Sequence, residues 1–122
     1  GQKSAREIVP HLVKLIQPKT VLDVGCGTGT WLSTFREQGI EDVLGVDGDY
    51  VKPEALNIPQ EKFLAHDLNT PLDVNRAFDL VISLEVAEHL PRRNAEVFIK
   101  SLTKHGKVVL FSAAVPSQPG TG

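Results

Sequence analysis

The chain has 122 residues, of which 41% are hydrophobic and 23% charged, a composition that fits one globular domain and excludes a disordered tail or a coiled coil. The formal net charge of -2, without a basic stripe, argues against nucleic acid as a partner. No apolar stretch approaches the roughly 18 residues of a membrane helix, and the single cysteine cannot form an intramolecular disulfide, so we predict a cytoplasmic protein without a membrane partner.

The first predicted element is a helix over residues 4–17. Ser4 and Glu7 have the spacing of a capping box. An apolar stripe at helical spacing follows, made of Val9, Leu12, Val13 and Ile16. Pro10 predicts either a kink or a helix start near that residue, and Pro18 predicts the end of the helix.

Five short apolar runs predict strands, and helical segments separate most of them. The predicted strands are 20–24, 43–46, 63–65, 78–84 and 108–111. Helices are predicted over 30–38 and 94–104, with Gly39 as a left-handed cap and a helical turn over 53–57. Residues after Ala114 are predicted to form only loop. Because strands joined by helical connections pair in parallel, we predict an α/β fold, a Rossmann-like doubly wound parallel sheet.

A glycine-rich loop follows the first predicted strand, at the place where open α/β sheets bind ligands. Its sequence is Asp23-Val24-Gly25-Cys26-Gly27-Thr28-Gly29. The dinucleotide fingerprint G-x-G-x-x-G is not matched, because Thr30 stands in the place of the third glycine. The lysine of a phosphate loop is also missing. A cofactor without phosphates therefore fits this loop better.

The D-x-G-x-G-x-G loop resembles that of the class I S-adenosylmethionine-dependent methyltransferases, and the resemblance extends over residues 20–114. It implies that the loop holds the methionine part of S-adenosylmethionine. The methionine carboxylate suits the helix N-terminus near Thr28, and the ammonium and sulfonium need an anion, which Asp23 is placed to supply.

The resemblance also bears on the extent of the domain, because the family's fold has seven strands and about five are predicted here. The sequence contains no methionine, and Pro119 and two glycines close it in what resembles a loop. We therefore expect residues 1–122 to be a fragment of a methyltransferase domain that lacks its C-terminal strands. Such a fragment is expected to bind the cofactor with weak or absent turnover.

Acidic residues stand at the ends of the first three predicted strands. Asp47 lies near the offset from the loop at which an acid accepts hydrogen bonds from ribose hydroxyls. The resemblance implies that Asp67 accepts one from the adenine amino group and that Leu68 packs against the ring. Simple turn or cap roles for Asp47 and Asp67 are the alternative. The cofactor-binding residues predicted in this way are Asp23, Gly25, Cys26, Gly27, Thr28, Gly29, Asp47, Gly48, Asp67, Leu68, Leu84 and Glu85.

Three further polar residues follow the fourth predicted strand. On a helical turn Glu85, Glu88 and His89 would share one side, where they could hold a divalent metal or act as a base. Their E-x-x-E-H string is similar to that of quinone-pathway O-methyltransferases and small-RNA 2′-O-methyltransferases. The alternative is that Glu88 and His89 cap a turn ended by Pro91. We assign no metal site and no catalytic residue from these five positions.

The function predicted from these features is methyl transfer from S-adenosylmethionine. A small-molecule acceptor is preferred to nucleic acid because the net charge is negative. Two alternatives stay open. One is an NAD-dependent oxidoreductase, which the fold and Asp47 permit, and the other is a non-catalytic cofactor-binding or interaction domain.

Overall fold

The structure is a computed structural model that describes residues 2–113, with side chains from residue 4 onward. Its helices are α1 (Gln2–Ile16), α2 (Thr30–Glu37) and α3 (Ala95–Lys104). Its strands are β1 (Thr20–Val24), β2 (Asp42–Asp47), β3 (Phe63–Ala65), β4 (Leu80–Leu84) and β5 (Val109–Ser112). Short 3-10 turns occupy Pro53–Ala55, Gln60–Lys62, Ala87–His89 and Arg92–Asn94.

The five strands form one sheet in the order β3-β2-β1-β4-β5, and every neighbouring pair is parallel. Val21 in β1 is paired on one side with Val43 of β2 and on the other with Leu80 of β4. The chain order reverses between β1 and β4, which makes the carboxyl end of β1 the switch point where such sheets bind ligands. The predicted α/β fold is confirmed.

Two apolar cores cover the two faces of the sheet. One core contains Val21, Val43, Leu80 and Ile82 from the strands, together with Ala5 and Val9 of α1 and Leu32 and Phe35 of α2. The other contains Leu22, Val24, Val46 and Val81 from the strands, together with Phe98 and Leu102 of α3. Alternate strand residues therefore face opposite cores, and helices lie on both faces.

The first helix differs from its prediction at its start. It begins at Gln2, so that Ser4 lies inside it rather than at its cap, and it continues through Pro10. Pro10 lies on the exposed side of α1, whereas Ala5 and Val9 are fully buried against the sheet. Burial of this stripe outweighs the hydrogen bond that proline cannot donate. The predicted capping box is therefore wrong, and the predicted apolar stripe is right.

The strand β4 begins two residues later than predicted. Phe78 is buried, but its N–H donates to the His105 carbonyl at 2.7 Å, and the Asp79 N–H donates to the Thr20 hydroxyl at 2.7 Å. Both donors are thus used outside the strand ladder. Gly39 has φ 93, as predicted for a left-handed cap. The predicted loop after Ala114 lies outside the described residues.

A buried histidine fastens the segment that leads into β4. His105 is 1% exposed, its Nε2 accepts from the Val74 N–H at 3.0 Å, and its Nδ1 lies 2.6 Å from the Ser101 carbonyl oxygen. These partners require a neutral imidazole with the proton on Nδ1. Among the described residues, no helix is both long and apolar enough to span a membrane.

Candidate functional site

The loop between β1 and α2 depends on its glycines for both conformation and space. Gly25, Gly27 and Gly29 all have positive φ, at 88, 55 and 88 respectively. A Cβ at Gly25 would lie 2.3 Å from Val86 Cγ2, and one at Gly29 would lie 2.9 Å from Ile58 Cγ1. At Gly27, by contrast, a Cβ would meet nothing within 4 Å. The loop is therefore packed at both ends and open in its middle.

Backbone donors hold the loop against the end of β2. The N–H groups of Gly25 and Cys26 both donate to the Val46 carbonyl, at 2.7 and 3.1 Å. The Gly27 N–H donates to Asp47 Oδ2 at 2.7 Å. These bonds bring the loop and the second predicted acid into direct contact.

Cys26 is a packing residue of this loop. Its side chain is nearly buried, and a Cβ at Gly45 would lie 2.7 Å from its sulfur, so Gly45 supplies the space that the thiol fills. Burial raises the pKa of the Cys26 thiol well above its usual range, and Asp23 and Asp47 add to the rise. A neutral buried thiol is not a nucleophile. The cofactor contact predicted for Cys26 stays a prediction, and the observed role of its side chain is packing.

Two of the three acidic strand ends are buried side by side. Asp23 is 4% exposed and Asp47 is 5% exposed. Burial raises the pKa of Asp23 to about 8, and repulsion from the Asp47 carboxylate contributes to the rise. No ion pair in the part of the chain that the structure describes includes either residue. The carboxyl end of β1 therefore carries a desolvated acid whose charged form lacks a cationic partner there.

A depression of about 470 Å³ lies beyond the ends of β2 and β3. Asp67 is exposed at the wall of this depression. Its Oδ1 accepts from the Asn69 N–H at 2.9 Å and from Asn69 Nδ2 at 3.1 Å, and these two bonds lower the pKa of Asp67. Leu68 beside it is 8% exposed. The residues lining this first depression are Gly48, Asp49, Tyr50, Ala65, His66, Asp67, Leu68 and Asn69. The structure thus brings the predicted residues Gly48, Asp67 and Leu68 together.

Leu84 and Glu85 lie elsewhere, on a second depression of about 520 Å³. Glu85 follows β4 with φ 58, an uncommon conformation for a residue with a side chain, and its N–H donates to the Ser112 carbonyl at 2.9 Å. Strained backbone of this kind is concentrated at functional sites. This second depression is lined by Ser4, Ile8, Leu12, Trp31, Leu84, Glu85, Leu110 and Ser112.

The E-x-x-E-H string does not form a metal centre. Ala87–His89 is a single 3-10 turn, and the Glu88 side chain is 16% exposed whereas that of His89 is 76% exposed. Their closest approach is 3.8 Å, between Glu88 Oε2 and His89 Nε2. No group of three or more His, Cys, Asp or Glu side chains within the described residues is arranged to hold a metal ion. The hypothesis of metal binding by Glu85, Glu88 and His89 gains no support.

Sequence reasoning missed two residues that shape the site. The Tyr50 hydroxyl donates to Asp47 Oδ1. The Asn57 N–H donates to the Thr28 carbonyl at 2.7 Å, which ties the segment between β2 and β3 to the glycine loop. The only available signal was that both residues follow an acidic strand end.

A parallel sheet in this order, with a glycine loop and a desolvated acid at its switch point, is the architecture of class I S-adenosylmethionine-dependent methyltransferases. A family model described as "Methyltransferase domain" matches residues 2–117, and the chain belongs to that family. This match supports a methyltransferase over the alternative of an NAD-dependent oxidoreductase.

Similar proteins differ in what their names say they methylate or modify. A tRNA U34 carboxymethyltransferase of Pseudoalteromonas translucida is 32% identical over 93% of this chain and 38% of its own length. A ribosomal protein L11 methyltransferase of Vibrio campbellii is 32% identical over 82% of the chain and 35% of its own length. The S-adenosylmethionine-bound structure of an amino pentose methyltransferase from Micromonospora echinaspora is 21% identical, covers 93% of this chain and 51% of that one, and has a TM-score of 0.77. The chain thus spans less than two fifths of the length of these two curated relatives.

Proposed function

We propose that this chain binds S-adenosylmethionine at the carboxyl ends of β1, β2 and β3 and takes part in transfer of its methyl group. The observation that carries the proposal is the loop contact between the Gly27 N–H and Asp47, beside a depression walled by Asp67 and Leu68. In this arrangement the adenosine part lies in the first depression, called the cofactor depression from here on, with the ribose toward Asp47 and the adenine against Leu68. The methionine part then runs along the glycine loop toward Asp23.

The residues present fit such a ligand electrostatically. Asp23 is buried and is shifted toward its neutral form by desolvation and by Asp47. A cationic group placed beside it would favour the carboxylate and offset the cost of burial. The open space beside Gly27 is where backbone can approach the ligand without interference from a side chain.

When bound, S-adenosylmethionine supplies an electrophilic methyl group on a sulfonium. The protein's task in such an in-line displacement is to hold donor and acceptor in line and to exclude water. We infer that the acceptor group enters the second depression, because its lining includes the last residues of β4 and β5 and Trp31, which lies close after the glycine loop in the chain. Trp31 and the aliphatic side chains of Ile8, Leu12, Leu84 and Leu110 suit a flat or apolar group there.

The class of molecule that carries this group is the finer part of the proposal. The net charge of -2 favours a small-molecule acceptor, whereas the similarity to a tRNA U34 carboxymethyltransferase points to tRNA. A nucleobase and a small aromatic or apolar molecule both match the lining of the second depression. We retain the small molecule as the proposal and treat methylation of tRNA as the outcome that would overturn it.

Isothermal titration with S-adenosylhomocysteine, the demethylated product, tests cofactor binding. Asp23→Ala and Asp67→Ala should each weaken binding by about tenfold or more, since a lost hydrogen bond to a charged group costs about 1.5–3 kcal/mol. Asp73→Ala is the matched control, because this exposed carboxylate lies on the loop before β4 and pairs with Lys104 at the end of α3. Failure of the folded wild type to bind would overturn the proposal, and binding of NADH instead would favour the oxidoreductase.

Labelled S-adenosylmethionine tests the acceptor. In a longer protein that contains this domain, label should pass from it to a small-molecule fraction and not to bulk tRNA. Trp31→Leu should reduce the transfer while leaving the affinity for S-adenosylhomocysteine unchanged. Cofactor binding without any transfer, by a longer protein containing this domain, would instead support the non-catalytic alternative.

A further inference from the structure

The carboxylate of Asp47 is occupied by donors of the chain itself. Its Oδ2 accepts from the Gly27 N–H at 2.7 Å, and its Oδ1 accepts from the Gly48 N–H at 2.8 Å and from the Tyr50 hydroxyl. With 5% exposure, the carboxylate reaches solvent hardly at all. Because Oδ1 already accepts two bonds, a ribose hydroxyl can bond to this oxygen only if one of its two donors gives way.

The three donors differ in how easily they can move. The N–H groups of Gly27 and Gly48 belong to backbone fixed at the end of the sheet, where Gly25 and Cys26 bond to Val46. Tyr50 is 71% exposed and belongs to neither apolar core, so rotation of its side chain breaks no core packing. Its ring lies over Gly48, where a Cβ would come within 2.2 Å of a ring carbon. Tyr50 also lines the cofactor depression.

We propose that the Tyr50 hydroxyl is a displaceable competitor for the ribose hydroxyls at Asp47, and that it thereby sets the affinity of this site for adenosine-containing ligands. The inference rests on the proposed function, in which adenosine lies in the cofactor depression. Tyr50 is then a positioning residue: it holds the Asp47 carboxylate in its bonded orientation and rotates outward when a ribose hydroxyl takes its place. Desolvation raises the pKa of Tyr50 to about 12, and the hydrogen bond to Asp47 adds to the rise.

Tyr50→Phe removes the competing hydroxyl and keeps the ring. Titration calorimetry on the full chain should show S-adenosylhomocysteine binding about tenfold more tightly to this variant than to wild type, a change equivalent to about 1.4 kcal/mol. The gain should appear with adenosine and vanish with 2′,3′-dideoxyadenosine, which lacks the 2′ and 3′ hydroxyls of the ribose. It should also vanish in an Asp47→Ala background. Thr103→Val, which removes an exposed hydroxyl on α3, is the control and should leave affinity unchanged.

Because Tyr50 is the only tyrosine in the chain, its Raman Fermi doublet gives a second readout of the same bond. The doublet should change from a strong-donor to a water-exposed ratio when S-adenosylhomocysteine is added. Wild-type binding with an unchanged doublet, or equal or weaker binding by Tyr50→Phe, would overturn the role of Tyr50 and leave the proposed function standing. Absence of any wild-type binding would overturn the proposed function and this inference with it.

Discussion

A single methyl group added at Gly25 should separate the strain of the glycine loop from its packing. Gly25→Ala forces alanine into φ +88, which costs about 1–2 kcal/mol. The new Cβ would also lie 2.3 Å from Val86 Cγ2 and 3.0 Å from Val86 Cγ1, so it would overlap both methyl groups of that side chain. Overpacking of this kind costs about 1–3 kcal/mol. We expect a total loss of about 2–5 kcal/mol in the free energy of unfolding.

Urea denaturation followed by circular dichroism measures this loss by linear extrapolation. Gly27→Ala is the matched control, because Gly27 has φ 55 but a Cβ there would meet nothing within 4 Å. It should lose only about 1–2 kcal/mol of stability, although the added methyl should still weaken binding of S-adenosylhomocysteine. Val86→Ala in the Gly25→Ala background should recover the overlap part. Equal losses in the two glycine variants, or no recovery with Val86→Ala, would refute the reasoning.

Three further predictions concern charge and buried polar contacts. Asp23 has a folded pKa of about 8, above its unfolded value, so the free energy of unfolding should fall as pH rises from about 4 to about 8, by at most about 1.4 kcal/mol per pH unit. Asp23→Asn should flatten this slope in urea titrations at several pH values. An unchanged slope in that variant would contradict the prediction. His105→Leu should cost about 2–4 kcal/mol, because it leaves the Val74 N–H and the Ser101 carbonyl without their imidazole partner. The exposed Thr103→Ala on α3 should stay within about 0.5 kcal/mol, and similar losses would count against the role of His105. Arg76→Ala should cost no more than about 1 kcal/mol in the same assay, since its bidentate pair with Asp42 is half exposed, and a larger loss would show that the pair is more strongly coupled than its exposure implies.

The strands and the glycine loop could be predicted because each is specified locally. A parallel strand buried on both faces is apolar throughout, as in Val21 and Leu22, so its position is visible without knowledge of its partners. The glycines are required by positive φ, and the acids Asp23 and Asp47 lie at the carboxyl ends of such strands. These signals need only neighbouring residues.

The features that were missed or wrong depend on contacts between distant parts of the chain. Pro10 predicts a break by local rules, but the burial of Ala5 and Val9 keeps α1 continuous. The string from Glu85 to His89 predicts one helical face, whereas the chain takes positive φ at Glu85 and then a 3-10 turn. The Tyr50 bond to Asp47 follows no periodicity, because an exposed side chain in a loop has none to follow.

The strand order also governs when this domain can fold during its synthesis. β1 lies at the centre of the sheet, yet its partner β4 begins only at Leu80. A nascent chain in which β4 has not yet been synthesised can therefore pair β1 only with β2. Such long-range parallel pairing is slow, and until it is complete the unpaired strand edges stay exposed. The loop that carries Gly25 cannot pack against Val86 before that point either. Ligand-binding competence should therefore arise late in translation, together with closure of the sheet, rather than with emergence of the glycine loop.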